Sequence, residues 1–350
     1  MTINELLQTT IDKNASDLHI VPEHFSSVRI NNELLLLRAA GRLTGKETQE
    51  LLIPILSESQ KVFFNENKEL DFGYDFGEHR FRVNIYTNKK NIAAAFRLIP
   101  TKIKSIDELG LPSIFHTFTT MRQGLVLFTG PAGEGKSTSM AAIINEINDK
   151  YSKHIITIED PIEFTYPQSK SIISQRELHQ DTLSWSVALK SALREDPDIV
   201  LVGEIRDHET IQLVLTLAET GHLVFSTLHT GSAREAIDRI VDVFPSNQQN
   251  QVRNSLSGTL VSVIAQRLIP DSSGLSRIPA FEILTNNASV SSIIRDGKNF
   301  MLDNVLETNE DAGMILFEKY LAKLYRSGQI TKEEAVDHAI RKNLISKFIT

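Results

Sequence analysis

The chain has 350 residues, of which 41% are apolar and 23% charged, a composition typical of a globular protein with two domains. The absence of cysteine excludes disulfides, a thiolate nucleophile and cysteine-bound zinc. With 37 basic and 44 acidic residues the net charge is −7, so no nucleic-acid partner is expected. No apolar run is long enough to cross a membrane, and the first residues, MTINELLQTT, lack the basic-then-apolar pattern of a signal peptide, so we expect a cytoplasmic protein.

The first hundred residues predict a small α+β domain with an antiparallel sheet. Helices and short strands are expected in the order 1–14, 17–21, 27–31, 34–38, 44–56 and 58–67. Residues 70–98 then alternate between apolar and polar side chains, as half-buried strands do. This alternation assigns two sets of residues to opposite strand faces. One face carries Phe81, Val83 and Ile85, and the other carries Arg80, Arg82 and Asn84.

The sequence pattern changes after a predicted linker at 99–122. Continuous apolar strands alternate with helices from Gly124 to about residue 285, which indicates a mainly parallel sheet covered on both faces. The remaining chain reads as helices at 289–295, 313–326 and 331–342. The sequence therefore predicts an N-terminal domain, a linker, an α/β core and a C-terminal helical region, at 1–98, 99–122, 123–285 and 286–350.

The most specific motif is the glycine-rich segment 130–137, GPAGEGKS, which fits G-x-x-x-x-G-K-[ST] between a strand and a helix. Its glycines let successive N–H groups face an anion, and the helix N-terminus adds partial positive charge. Lys136 would reach the β- and γ-phosphates of ATP, and Ser137 would ligate Mg²⁺. Glu134 is unusual because it adds a carboxylate near the anion. The predicted nucleotide-binding residues are Gly130, Pro131, Ala132, Gly133, Glu134, Gly135, Lys136, Ser137 and Thr138.

Hydrolysis also requires groups that organise metal and water, and carboxylates end two of the predicted strands. Glu204 follows the strand DIVLV, where we assign it to Mg²⁺, through a coordinated water. Glu163 lies in the acidic turn after HIITIE and is our choice as general base or water-positioning residue. Glu159 and Asp160 are the alternatives for that role, since spacing alone does not separate the three.

Histidines and arginines offer further groups for a phosphate. His222 and His229 flank the strand LVFSTL, where a neutral imidazole could sense the γ-phosphate, although a surface role is equally compatible. Arg82 and Arg97, with Arg80, lie on adjoining strand segments of the first domain. One sheet face could therefore deliver an arginine finger within a subunit or from a neighbour, the alternative being solvated strand arginines.

The chain resembles the secretion-type motor ATPases, close to the pilus retraction (PilT-like) branch. The strings that carry this resemblance span almost all of the sequence, at residues 15–20, 81–84, 95–100, 158–164, 193–207, 221–230, 237–245 and 266–268. They include ASDLHI, IEDPIEF and GHLVFSTLHT, which resemble the family's N-terminal signature, aspartate box and histidine box. The absence of cysteine and the early position of ASDLHI favour the retraction branch over extension and secretion relatives.

The resemblance implies a PAS-like N-terminal domain, a RecA-like ATPase domain and a homohexameric ring that binds ATP between the two domains. It assigns water activation to Glu163, the Walker B role to Glu204, γ-phosphate contacts to Arg82 and Arg97, and histidine-box positions to His222 and His229. Its implied partners are an inner-membrane pilus platform protein and a paralogous motor, with peripheral association at the cytoplasmic face of the membrane.

The function that follows from this resemblance is ATP-driven pilus retraction. The alternatives are a pilus extension or type II secretion assembly ATPase, an accessory retraction ATPase, and a RecA-like nucleic-acid translocase. A nucleotide-gated subunit that hydrolyses little is disfavoured by the presence of Lys136, Glu163 and Glu204.

Overall fold

The computed structural model describes residues 1–31, 33–100, 102–310 and 313–349. Its contacts divide the chain into a first unit, residues 1–102 and 160–166, and a second unit, residues 103–159 and 167–350. Thr101 of the predicted linker, and residues 311–312 and 350 of the predicted C-terminal region, lie outside the described residues. Across the described ranges, no helix has the length and apolar character needed to span a membrane.

The first unit packs three helices against a six-stranded antiparallel sheet of order β3-β2-β1-β6-β5-β4. Each helix begins with a capping box, in which the side chains of Thr2, Thr44 or Ser57 accept from the backbone three residues on. The helices are α1 Ile3–Asp12, α2 Gly45–Leu52 and α3 Glu58–Asn67. The strands are β1 Asp17–Ile20, β2 Ser27–Ile30, β3 Glu33–Leu36, β4 Glu69–Phe76, β5 His79–Asn88 and β6 Asn91–Ile99.

Strand alternation in this sheet is as predicted. Phe81, Val83 and Ile85 of β5 are fully buried in the core of the first unit. The predicted helix at 44–56 is wrong at its end: α2 stops at Leu52 and a short 3-10 helix, Ile53–Ile55, follows. Pro54 explains the break, because it has no N–H to continue the helix hydrogen bonds and its ring clashes with the carbonyl group four residues earlier.

The second unit is built on a seven-stranded sheet of order β13-β12-β7-β11-β10-β8-β9, parallel except for the β12–β13 pair. Its strands are β7 Gly124–Thr129, β8 His154–Glu159, β9 Ile172–Glu177, β10 Ile199–Val202, β11 Leu223–Leu228, β12 Leu260–Pro270 and β13 Arg277–Thr285. Its main helices are α4 Ile114–Phe118, α5 Lys136–Lys150, α6 Trp185–Ala192, α7 His208–Glu219, α8 Ala233–Asp242, α9 Ser246–Thr259, α10 Ala288–Arg295, α11 Leu302–Thr308, α12 Phe317–Arg326, α13 Lys332–His338 and α14 Lys342–Ile345.

The mainly parallel sheet predicted from the apolar runs is confirmed. Every residue of β7 and β11 is buried, which requires cover on both faces of the sheet. Sequence analysis did not find β9, whose residues are mostly half-buried, nor the antiparallel hairpin of β12 and β13. The strands of the hairpin are joined by a six-residue loop at 271–276, which is longer than the two-residue turns that predict a hairpin most directly.

The predicted helix at 331–342 is two helices, α13 and α14, separated by an extended turn at Ala339. The turn brings Arg341 to a buried acidic cluster. Its backbone N–H donates to Glu318 at 2.6 Å, and its guanidinium group contacts Glu282 at 2.8 Å and Asp303. Glu282 and Glu318 are both fully buried, so the two acids share one arginine as their counter-ion in the core.

Burial raises the pKa of Glu282 above its ordinary value, in opposition to the charge of Arg341. Burial alone would lower the pKa of Arg341, but the charges and hydrogen bonds of its acidic partners raise it. The second oxygen of Glu282 accepts from the N–H of Ala233 at 2.9 Å, at the first residue of α8. The cluster thus ties the chain after α13 to the start of α8.

We predict that Arg341→Met lowers the free energy of unfolding of the second unit by about 3–5 kcal/mol, because two buried carboxylates lose their counter-ion. Urea denaturation followed by the fluorescence of Trp185, the single tryptophan of the chain, reports this unit. As a control, Lys298→Met removes an exposed pair with Asp296 and should change the value by less than about 1 kcal/mol. Equal effects of the two substitutions would contradict a structural role for the buried cluster.

Candidate nucleotide-binding site

The glycine-rich segment forms a loop between β7 and α5 in the second unit. Gly130, Gly133 and Gly135 have φ values of 141°, 78° and 78°, a region that side chains disfavour. A Cβ at Gly130 would lie 2.4 Å from the carbonyl oxygen of Gln266, and one at Gly135 would lie 3.0 Å from the Gln266 side chain. The loop therefore needs glycine both for its turns and for its close approach to β12.

Lys136 is the first residue of α5, and only 7% of it is exposed. Its ammonium group donates to the carbonyl oxygens of Gly130 and Pro131, the latter at 2.7 Å. Ser137 and Thr138 follow in the first turn of the helix and are half-buried, while Pro131, Ala132 and Gly133 are exposed. The open loop, the buried ammonium group and the helix N-terminus form a cradle of donors that suits a polyphosphate.

Glu134 points away from this cradle. Its carboxylate accepts from the backbone N–H of Leu268, and its carbonyl oxygen accepts from the Gln266 side chain at 2.8 Å. Gln266 is buried and also accepts from the hydroxyl of Ser139 at 2.8 Å. The unusual carboxylate thus satisfies a strand N–H at the end of β12 and fastens the loop to the sheet.

Strand order brings the loop together with two of the predicted site residues. The strands β7, β11, β10 and β8 are adjacent and parallel, so their carboxyl ends share one edge of the sheet. The phosphate loop follows β7, His229 follows β11, and Glu204 lies two residues beyond β10. Thr129 and Thr230 join the loop to the chain after His229 through hydrogen bonds of 2.7 and 2.9 Å.

Glu204 lies between two cationic or hydrogen-bonding groups at this edge. One carboxylate oxygen contacts the guanidinium group of Arg206, and the other is 3.1 Å from Nε2 of His229. The Glu204 side chain is 17% exposed, so water and ions still reach it. Sequence analysis did not single out Arg206, although it lies two residues from Glu204 in the matched string at 193–207.

The structure does not bring His222 to this edge. His222 precedes β11, and its Nδ1 lies 2.9 Å from the carbonyl oxygen of Leu217 at the end of α7. The step of seven residues from His222 to His229 corresponds to roughly 23 Å of extended strand. His222 therefore lies at the amino edge of the sheet, whereas the phosphate loop lies at the carboxyl edge, and its contact with the γ-phosphate stays a prediction.

The acidic turn predicted to hold the water-positioning carboxylate is divided between the units. Glu159 ends β8 in the second unit and accepts from the Thr157 hydroxyl at 2.7 Å. Asp160 and Glu163 belong to the segment 160–166, which groups with the first unit. There Oε1 of Glu163 lies 3.9 Å from a terminal nitrogen of Arg82.

Arg82 and Arg97 are directly opposite each other on β5 and β6, as a shared arginine face requires. Asp71 of β4 accepts from Nε of Arg82 at 3.1 Å and from one terminal nitrogen. Asp17 of β1 accepts from Nε of Arg97 at 3.0 Å. The hydrogen bonds from Asp71 raise the pKa of Arg82 above its ordinary value, with the charges of Glu163 and Asp160 adding to them against the effect of burial.

Comparisons with known proteins identify the family to which the chain belongs. The family described as "Type II/IV secretion system protein" matches residues 1–344. The "Type IV pilus retractation ATPase PilT" of Pseudomonas aeruginosa is 43% identical over 340 residues, which are 97% of this chain and 98% of that protein. The chain belongs to this family, among its PilT-like retraction ATPases.

Two further relatives agree with this membership. The "Twitching motility protein" of Neisseria gonorrhoeae is 47% identical over 294 residues, 84% of this chain and 79% of that protein. A crystal structure of the pilus retraction motor PilT with bound ADP has a TM-score of 0.92 and 41% identity, and the match covers 99% of both chains. The predicted fold class is confirmed: an α/β, RecA-like P-loop ATPase domain preceded by a smaller α+β PAS-like domain.

We predict that Glu134→Ala loosens the phosphate loop, because the N–H of Leu268 loses its acceptor at a cost of about 1–2 kcal/mol. Hydrogen–deuterium exchange should show faster exchange of the Leu268 amide in this variant. Glu134→Gln keeps an acceptor oxygen and serves as the control, with exchange close to that of the wild type. Unchanged exchange in Glu134→Ala would contradict an anchoring role for the carboxylate.

Proposed function

We propose that the protein is a homohexameric motor that hydrolyses Mg-ATP to drive pilus retraction, the removal of pilin subunits that underlies twitching motility. The observation that carries this proposal is the meeting, at one edge of the parallel sheet, of the phosphate loop with Glu204 and His229. Membership of the PilT-like ATPases gives this site its task. The ADP described with the solved PilT structure supports a nucleotide as its ligand.

Binding of ATP would begin at the cradle between β7 and α5. The inward N–H groups of the loop and the N-terminus of α5 attract the phosphate chain, and Lys136 exchanges two carbonyl partners for β- and γ-phosphate oxygens. The phosphate negative charge then stabilises an ammonium group that the loop already holds in place. Glu134 does not oppose this step, since its carboxylate is engaged by the N–H of Leu268.

The groups present also suit a magnesium ion. Among the described residues, no set of three or more acidic, histidine or cysteine side chains forms a metal site of its own. The ligands would therefore be the Ser137 hydroxyl, phosphate oxygens and waters, with Glu204 orienting one water. Bound there, Mg²⁺ would neutralise the negative charge that develops on the β- and γ-phosphates during hydrolysis.

Hydrolysis needs a positioned water and compensation of charge on the γ-phosphate. We assign the water to Glu163, with Glu159 and Asp160 as the alternatives, and the charge compensation to Arg97 and Arg82. His229 would report the state of the nucleotide, because its ring contacts Glu204 and changes at one are felt by the other.

Coupling to the pilus involves partners outside the chain. We propose that the hexamer works at the cytoplasmic face of the inner membrane, against the platform protein of the pilus machine and in some settings beside a paralogous motor. An accessory retraction ATPase or an assembly ATPase would use the same hydrolytic residues. A retraction ATPase and an assembly ATPase are therefore distinguished by the direction of pilus movement, and not by the residues of the site.

We predict that one substitution in the proposed site weakens the binding of ATP and that another slows its turnover. Lys136→Ala should weaken ATP binding about 10–100-fold, because a charge-assisted contact is lost. Glu163→Gln should bind ATP within about twofold of the wild type, yet lose about 10²–10⁴-fold in turnover. Equilibrium binding of a fluorescent ATP analogue and phosphate release measure the two quantities.

Lys150→Ala is the matched control, since Lys150 is an exposed lysine at the far end of the same helix. It should leave both affinity and turnover unchanged. If Lys136→Ala bound ATP as tightly as the wild type does, the assignment of the nucleotide site would be contradicted.

We predict that cells without the gene still extend pili but fail to retract them, as followed by microscopy of labelled pili. The wild-type gene should restore retraction, whereas a Glu163→Gln copy should not. Loss of extension instead would identify an assembly ATPase. Retraction that is normal without load but slower against a load would identify an accessory motor.

A further inference from the structure

The string ASDLHI at 15–20 carries part of the family resemblance, but no residue of it enters the hydrolytic scheme above. The structure places its acidic residue, Asp17, directly opposite Arg97 in the pairing of β1 with β6. One carboxylate oxygen of Asp17 accepts from Nε of Arg97 at 3.0 Å, and the other accepts from the Ser16 hydroxyl at 2.8 Å. Both oxygens of Asp17 are therefore fixed before any ligand arrives.

The exposure of the two partners differs sharply. The Asp17 side chain is 12% exposed and the Arg97 side chain 68%. The contact occupies the Nε edge of the guanidinium group, while its two terminal nitrogens make no hydrogen bond within the described part of the chain. Asp17 thus holds the inner edge of the arginine and leaves the outer edge for an anion.

Arg82 is held in a related way from the other side of the sheet. Asp71 accepts from its Nε and from one terminal nitrogen, in a side-on, two-point contact. Gly73 is the residue directly opposite Arg82, and because it has no side chain the guanidinium group can reach Asp71 diagonally. The remaining terminal nitrogen is the one that lies 3.9 Å from Glu163.

Together these contacts form one row of charges across four neighbouring strands, in the order Asp17, Arg97, Arg82 and Asp71. Arg97 and Arg82 are directly opposite each other, an arrangement that repels when two cations are alone. The flanking carboxylates offset this repulsion and fix both guanidinium groups by their inner edges. The centre of the row holds the two guanidinium groups, and the nitrogens that the aspartates leave, two of Arg97 and the one of Arg82 near Glu163, suit a terminal phosphate.

We infer that Asp17 and Asp71 are positioning residues that hold Arg97 and Arg82 ready for the γ-phosphate of ATP. This inference rests on the proposed function, because it assigns the arginines to the hydrolytic step. The aspartates act only through the arginines, so their loss should slow turnover without weakening the binding of ATP, which depends on the phosphate loop.

The test is a double-mutant cycle in the full-length chain. Arg97→Ala should reduce turnover by about 10³-fold, and Asp17→Ala by about 10–100-fold, each with ATP affinity within about twofold of the wild type. The double variant Asp17→Ala/Arg97→Ala should be no slower than Arg97→Ala alone. Asp17→Asn keeps an acceptor for Nε and should recover most of the turnover, which separates positioning from misfolding.

The matched control is Asp75→Ala, which removes a carboxylate paired with Arg80 at 2.7 Å on the same two strands as Asp71 and Arg82. Its turnover should equal that of the wild type, whereas Asp71→Ala should behave as Asp17→Ala does. Losses that multiply in the double variant, or a turnover loss in Asp75→Ala equal to that in Asp17→Ala, would overturn the inference.

The outcomes also separate this inference from the proposed function. If Arg97→Ala is slow but Asp17→Ala and Asp71→Ala are normal, the aspartates have no positioning role and the proposed function stands. If Arg97→Ala and Arg82→Ala both turn over like the wild type, the arginine assignment and the inference fail together. Absence of ATP turnover in the wild-type hexamer would contradict the proposed function itself.

Discussion

The close approach of the phosphate loop to β12 is the constraint on which the site depends. Because the backbone of Gly130 lies against the carbonyl oxygen of Gln266, no side chain fits at that position. Gln266 then joins the loop to α5 through the carbonyl oxygen of Glu134 and the hydroxyl of Ser139. These contacts fix the path of the loop and, with it, the buried position of Lys136 at the start of the helix. The anion site is thus shaped by its packing before any anion binds.

A second theme is the control of negative charge near a site for a negatively charged ligand. Glu134 is turned outward by a strand N–H, and Glu204 lies between Arg206 and His229. In the first unit, Asp17 and Asp71 are each engaged by an arginine. In each of these pairs at least one partner is partly exposed, and such pairs contribute only about 0–1 kcal/mol to stability, so their value lies in where they hold a side chain. In the cluster around Arg341, by contrast, two of the acids are fully buried, so its loss is expected to matter for folding.

Local patterns predicted the elements that periodicity and capping define. The alternation of β5, the buried parallel strands and the phosphate loop were all visible, because each depends on neighbours in the sequence. Pairings between distant segments were not visible, since nothing near Asp17 indicates that Arg97 lies opposite it. The hairpin of β12 and β13 is a local connection, but its six-residue loop is longer than the two-residue turns that predict a hairpin most directly. The break after α13 follows from a buried acid that only the fold brings near Arg341.

The buried cluster of Arg341 has a consequence for biosynthesis. Glu282 and Glu318 both precede Arg341 in chain order, so a nascent polypeptide contains the two acids before it contains their counter-ion. Until the arginine emerges from the ribosome, those carboxyl groups have no counter-ion, so burying them in ionised form in the core around β13 and α12 is unfavourable. A premature stop codon in α13 would therefore leave a product that retains every nucleotide-binding residue yet is a substrate for cellular proteases.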